Sequence, residues 1–286
     1  MMRLPSSPSR FERAALGAVL VIAVAPALCG FVYAALASVE LVGVTQHAGA
    51  TFRAYRHLLA SGDLVASATF TVWIAFAATV VSAIVALPLA LALRHARGLR
   101  VMVRGLVALP LPIPHLVAAA TAVQLFAASG LLARVLLAAH AASSFDGWVF
   151  DRAGLGIIVV YAWKEIPWLT LVLIAALEIA GDRHEAVAAT LGAGRVRRLL
   201  FVVVPIAARA AWAPVLLLCA YVLGAFEVPL LVGKTWPPML SVLAYQRFTG
   251  VDLARRPEAF ALAVMTTMVV AAVALAARPR RARGDA

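Results

Sequence analysis

The side chains best able to do chemistry are few, and they sit where charge is costly. Lys164 and Glu165 are adjacent within a long apolar stretch. They lie ten and eleven residues from its start, which is about 15 Å along a helix at 1.5 Å per residue. A charge at membrane depth usually lines a path or finds a partner. Two readings are open here: one or both face a translocation cavity beside Pro167, or Lys164 forms an interhelix ion pair with Glu227 of a later span. Neighbours in sequence point in different directions on a helix, so the two do not simply neutralise each other. His115, which follows Pro110-Leu111-Pro112-Ile113-Pro114, and Gln124 are further candidates for the path or for interhelix hydrogen bonds. Glu178 and Glu258 fall at span ends, where they would reach water.

None of these groups makes a catalytic constellation. His47, His57, His95, His115, His140 and His184 have no ligand-like spacing with acids or cysteines, so no metal site is expected. Cys29 and Cys219 lie in apolar runs and form no CxxC pair, which makes them packing residues. Gly233-Lys234-Thr235 hints at a phosphate loop, but a P-loop needs another Gly five positions before the second, where this chain has Val228. No cofactor is expected to bind this chain.

The elements that position these groups are transmembrane. Hydrophobic residues are 64% of the 286 and charged residues 13%, against about 45–50% and 25% in soluble domains. That much apolar surface cannot be hidden in water, and there is too little charge for disorder. A bilayer core of ~30 Å takes ~20 helical residues, so the chain can supply six spans: 14–39, 64–93, 105–127, 154–180, 205–228 and 259–277. The expected fold class is all-α, with a tail 1–13, a transmembrane domain 14–277 and a basic tail 278–286. Three prolines at its entrance make the third span a broken, protein-facing helix. The absence of Asn, with two Lys beside 23 Arg, is the bias of GC-rich coding and points to a bacterial source.

Basic residues set the orientation. Sixteen fall in the two tails and the loops after the second and fourth spans, eight on the other side, and Lys164 lies within a span. The richer side is cytoplasmic by the positive-inside rule, so both termini are expected there. The net charge of +12 is then topological and needs no nucleic-acid partner.

The inner loop 181–204 is long for a link between spans, which needs about 2–8 residues. Asp182 can cap a short helix, and Ala186, Ala188 and Ala189 give it a face open to close approach. Gly192-Ala193-Gly194 breaks it, and Arg195, Arg197 and Arg198 begin a second helix that leads to Pro205. Such a loop suits docking to a cytoplasmic partner. The alternative is an interfacial helix lying on lipid.

Here the sequence resembles a known family. The loop is similar to the EAA motif of permease subunits of binding-protein-dependent ABC importers, in which Pro follows Gly by thirteen residues, as Pro205 follows Gly192. Thr190-Leu191-Gly192-Ala193 looks like the motif's core. The family's acidic residue lies six before the Gly, where this chain has Ala186, and Glu185 is one position earlier. That shift turns a helical side chain by ~100°, which leaves open whether Glu185 takes over the role. The resemblance runs over 54–277. Pro110–His115 looks like the family's proline-rich entry, and Phe226-Glu227-Val228-Pro229-Leu230-Leu231 with Leu240–Tyr245 resemble the polyamine, ferric iron or thiamine subgroup.

The resemblance implies a six-helix type I permease of the bacterial inner membrane. Its partners would be a second permease subunit, identical or different, two ABC ATPase subunits and a periplasmic substrate-binding protein. The loop would be the coupling helix, contacting the ATPase through Glu185, Ala186, Ala189, Gly192, Ala193, Arg195, Arg197, Arg198 and Pro205, and ATP would be bound by that partner. Lys164, Glu165, Glu227, His115 and Gln124 would be the path candidates. A transport scaffold of this kind needs two packings biased at the loop and no catalytic group of its own. The competing class is a secondary transporter driven by an ion gradient. Against it stand the long inner loop and the lack of an evident inverted repeat.

Overall fold

The computed structural model describes residues 10–95, 98–141 and 143–278. Most of both basic tails and Arg97 lie outside the described residues, as do the side chains of Asp182 and Arg183.

Twelve α-helices follow one another among the described residues: α1 (Arg10–Ser38), α2 (Arg53–Ala60), α3 (Asp63–Leu93), α4 (Leu99–Ala108), α5 (His115–Phe126), α6 (Leu131–Ala138), α7 (Leu155–Thr190), α8 (Arg195–Arg198), α9 (Val204–Gly224), α10 (Glu227–Val232), α11 (Leu240–Thr249) and α12 (Arg256–Ala276). A π-helical turn, Leu199–Val203, joins α8 to α9. No strand occurs among the described residues. Six helical segments are long and apolar enough to cross a bilayer: Gly17–Ser38, Asp63–Leu93, His115–Ala138, Leu155–Glu178, Arg195–Gly224 and Leu253–Ala276. The chain is an all-α, multi-pass membrane protein.

Two compact units divide it, one of Met1–Ser61 with Ala244–Met265 and the other of Gly62–Leu243 with Thr266–Ala286. The second unit is built around α7. This helix packs on α3, α9 and α5, and its residues Ile157, Tyr161, Leu173, Ile174 and Leu177 are almost wholly buried. The facing side of α3 carries Ser67, Ala75, Ala78, Ser82, Ala86 and Ala90, all buried. Small residues let backbones approach closely where the hydrophobic effect cannot hold helices together. Gly154 begins α7 at φ +76°, and a Cβ there would collide with Ile74 and Phe70 of α3. Only glycine combines that backbone conformation with that proximity.

Two boundaries differ from expectation for identifiable reasons. The third span begins at His115 and runs into α6, and α4 is a separate helix, because Pro112 and Pro114 lack the N–H groups that would continue it. The fifth span ends at Gly224. Ala225 is extended, with φ −69° and ψ 144°, and Glu227 opens the short α10 outside the span.

Candidate functional site

The proline break between α4 and α5 leaves backbone carbonyls without helical donors. The Pro110 carbonyl would receive an N–H from position 114 in an unbroken helix, and Pro114 has none; it takes the Ile113 N–H at 3.2 Å instead, which leaves the Leu111 and Ile113 carbonyls. Lys164 answers this need. Its Nζ donates to the carbonyls of Pro110 and Ile113, both at 2.6 Å, and of Leu111 at 3.2 Å. An ammonium has three protons, so three acceptors use it fully. The residue is 4% exposed. Of the two readings left open, the Lys164–Glu227 ion pair is not the one found: the partner of Lys164 is the backbone break, 54 residues away in sequence.

Glu165, one position on, turns to another side. Nε2 of His115, the first residue of α5, donates to its Oε1 at 2.9 Å. Packed round this pair are Tyr221 of α9, with its ring 5.4 Å from that of His115, and Tyr161 of α7, whose ring meets Tyr221 edge-on at 6.3 Å. Two cavities adjoin here and share His115 and Tyr221. One, about 290 Å³, is also lined by Glu165, Trp168, Leu217 and Leu218. The other, about 340 Å³, is lined by Tyr161, Ala225, Phe226, Glu227 and Val228 as well. Three of the path candidates thus occupy one neighbourhood, Glu165, His115 and Glu227 on its walls, while Lys164 lines neither cavity and is bound to the proline break. Gln124 does not belong to it. It is exposed and lines neither cavity, because nine residues along a helix place it half a turn round from His115. The sequence reading missed Tyr161, Tyr221 and Trp168. Their signal was an aromatic set on one helix face, with Trp168 and Tyr161 seven residues apart, two turns at 3.6 per turn.

The stretch 181–204 has a shape of its own. The helix of the fourth span does not stop at its membrane end. It continues to Thr190, 36 residues in all, or about 54 Å against a bilayer core of ~30 Å. Asp182 therefore begins no helix, and the expected cap does not arise. Termination comes at Gly192, φ +78°. The N–H of Ala193 reaches the carbonyl of Ala188 at 3.1 Å and that of Gly192 reaches Ala189 at 3.0 Å, the paired bonds of a Schellman end. Past this turn α8 carries Arg195, Arg197 and Arg198, with Pro205 at the start of α9. Ala186, Ala189, Arg195 and Arg197 are exposed. Leu191 is 82% exposed and Val196 70%. Leu191 stands thirteen residues past Glu178, the end of the apolar segment, roughly 20 Å further along the axis.

Glu185 does not point outward with them. Its Oε2 takes a bond from Nη2 of Arg94, the residue capping α3, at 2.8 Å. The extended end of α7 is thereby tied to the second span. Arg104 of α4 meets Glu178 of α7 at 3.4 Å.

Two further charges have structural partners. Lys234 donates to the Arg152 carbonyl at 2.9 Å and stands 4.0 Å from the centre of the Phe70 ring, and burial pushes its ammonium pKa down. Within the first unit Glu258 is 5% exposed, with His57 at 2.9 Å and Arg247 at 3.4 Å. It is a buried ion-pair centre and does not reach out to water. Its two basic partners lie in short helices, α2 and α11, that the sequence reading treated as loop.

No family model matches the chain. Solved structures do match. A bacterial alginate ABC transporter in complex with an alginate-bound periplasmic protein aligns over 94% of this chain and 95% of its own, with TM-score 0.70 and 17% identity. A bacterial ABC transporter involved in import of alginate aligns with TM-score 0.71 and 18% identity. Among curated proteins, the sulfate transport system permease protein CysT of Salmonella typhimurium is 28% identical over 210 residues, 73% of each chain. This chain is a relative of the ABC-importer permeases. The molybdenum transport system permease protein ModB of Mycobacterium tuberculosis is 33% identical over 120 residues, 42% of this chain. The thiamine transport system permease protein ThiP of Brucella abortus is 32% identical over 148, 50% of this chain. The aligned segment spans 43% of the ModB protein and 26% of the ThiP protein.

Proposed function

We propose that the chain is a permease subunit of an ATP-driven importer in a bacterial inner membrane, with both termini in the cytoplasm. It forms half of the translocation path beside a second permease, identical or different. Two ATPase subunits bind the ATP, and a periplasmic binding protein delivers a small polar solute of the polyamine, ferric iron or thiamine class. The alginate transporter's complex with a periplasmic protein and the thiamine permease relative both favour this assembly.

The observation that carries the reading is the turn at Leu191-Gly192. Leu191 and Val196, held past the end of the apolar segment by a rigid helix, offer apolar surface that a partner can cover. Burying a leucine side chain is favourable by about 1.5–3 kcal/mol, so a partner that closes over Leu191 gains that much. A helix continuous from the span to the turn would carry the partner's movement directly to the path, and the Arg94–Glu185 bond would pass it to the second span.

The deciding experiment is solute uptake in cells that keep this chain and carry an ATPase partner unable to hydrolyse ATP. Loss of uptake supports the proposal. Uptake that persists, and collapses instead with the ion gradient, would establish a secondary transporter.

A further inference from the structure

The walls of the two adjoining cavities carry groups that the chain itself does not satisfy. The Tyr161 hydroxyl is buried and has no hydrogen-bond partner, in a residue 1% exposed that lines the larger cavity. Buried polar atoms are nearly always paired, and among the orphans of the described residues this one belongs to a ring on the same wall as Glu227. The Glu227 carboxylate lines the same cavity and makes no ion pair among the described residues. Glu165, bonded to His115, lines the other. Three aromatic side chains, Tyr161, Tyr221 and Trp168, complete the lining. Among the described residues no lysine or arginine is on either wall. Lys164, the nearest cation in sequence, is held by the carbonyls of the proline break.

The Glu227 carboxylate, a second carboxylate shared with His115, aromatic side chains and the Tyr161 hydroxyl form a site for a positively charged organic group. The ring quadrupoles attract a cation over their faces, and the carboxylates supply its counter-charge. An oxyanion would instead meet like charge with no guanidinium or ammonium to receive it. A hard metal ion gains little from aromatic rings and calls for a cage of oxygen ligands. We propose that this pocket is a station on the path for an organic ammonium ion, and that it discriminates against oxyanions such as the sulfate and molybdate for which two relatives are named. This rests on the reading of the chain as a permease subunit. Within that reading it narrows the solute to one chemical class and gives Tyr161, Tyr221, Trp168, Glu165 and Glu227 the task of recognising it.

The test is calorimetric titration of the full-length chain in lipid nanodiscs with spermidine, thiamine and tetramethylammonium, and with sulfate and molybdate. Saturable binding of at least one of the three cations is expected, with no heat and no competition from the two oxyanions. Glu227→Gln should weaken the cation about ten-fold and Tyr161→Phe about three-fold, the scale of single contacts to a desolvated cation. Neither change removes a partner from the fold, so thermal unfolding should stay as in the parent chain. Binding of sulfate or molybdate, binding of none of the cations, or parental affinity in both variants would overturn the assignment. The assay needs neither ATP nor a partner. Uptake that ignores the ATPase while cations still bind refutes the importer reading and leaves the pocket standing. ATPase-dependent uptake without cation binding refutes the pocket alone.

Discussion

Two regions of the molecule break the usual partition of polar and apolar groups, and they do so in opposite senses. At the proline break a lysine and a glutamate lie within a span, where charge is costly. At the Gly192 turn a leucine stands 82% exposed beyond the end of a span. The first departure is compensated inside the chain, since Lys164 has three carbonyls and Glu165 has His115. The second is not, since nothing among the described residues covers Leu191. A violation repaired from within is architecture, and one left open calls for something from outside. By this measure Lys164 holds the fold, whereas the turn and the Tyr161 hydroxyl are where the proposed partner and solute would act.

That contrast can be broken most severely at Lys164. Lys164→Met removes the ammonium from three carbonyls, of which only Pro110 keeps a backbone donor, and should destabilise the chain by about 1–3 kcal/mol for each of the two left unsatisfied. Thermal unfolding in detergent measures it, and a stable variant with altered selectivity would move Lys164 into the path. Arg94→Ala should cost about 1–3 kcal/mol, because its bond to Glu185 is only partly shielded from water. It should also loosen the end of α7, read as faster amide exchange over 184–190. The mildest change is Gly192→Ala. No atom lies within 4 Å of its Cβ position, but φ is +78°, so the left-handed backbone should cost about 1–2 kcal/mol. Amide exchange confined to 188–193 would show it.

The apolar runs, the proline break and the turn were legible because each depends on local composition. Prolines at 110, 112 and 114 break a helix, and the Gly192-Ala193-Gly194 run supplies the positive φ that ends one. The partners were not legible. Lys164 binds backbone carbonyls, and a carbonyl has no letter in the sequence. Glu185 and Arg94 meet across about ninety positions, through the packing of α3 on α7. Asp182 looked like a cap because a cap is defined by what precedes it, and here the preceding helix simply continues. Glu227 lies outside its expected span because Ala225 turns extended, and alanine does not announce that. The small-residue face of α3 was hidden by the abundance of alanine elsewhere, so only packing distinguishes it.

The most direct test is made at Leu191. Leu191→Asp should leave insertion and thermal unfolding unchanged, since that side chain touches almost nothing. It should abolish both co-purification with an ATP-hydrolysing partner and ATP-dependent uptake. A Leu191→Asp chain that still purifies with such a partner and imports at the parental rate would contradict the account.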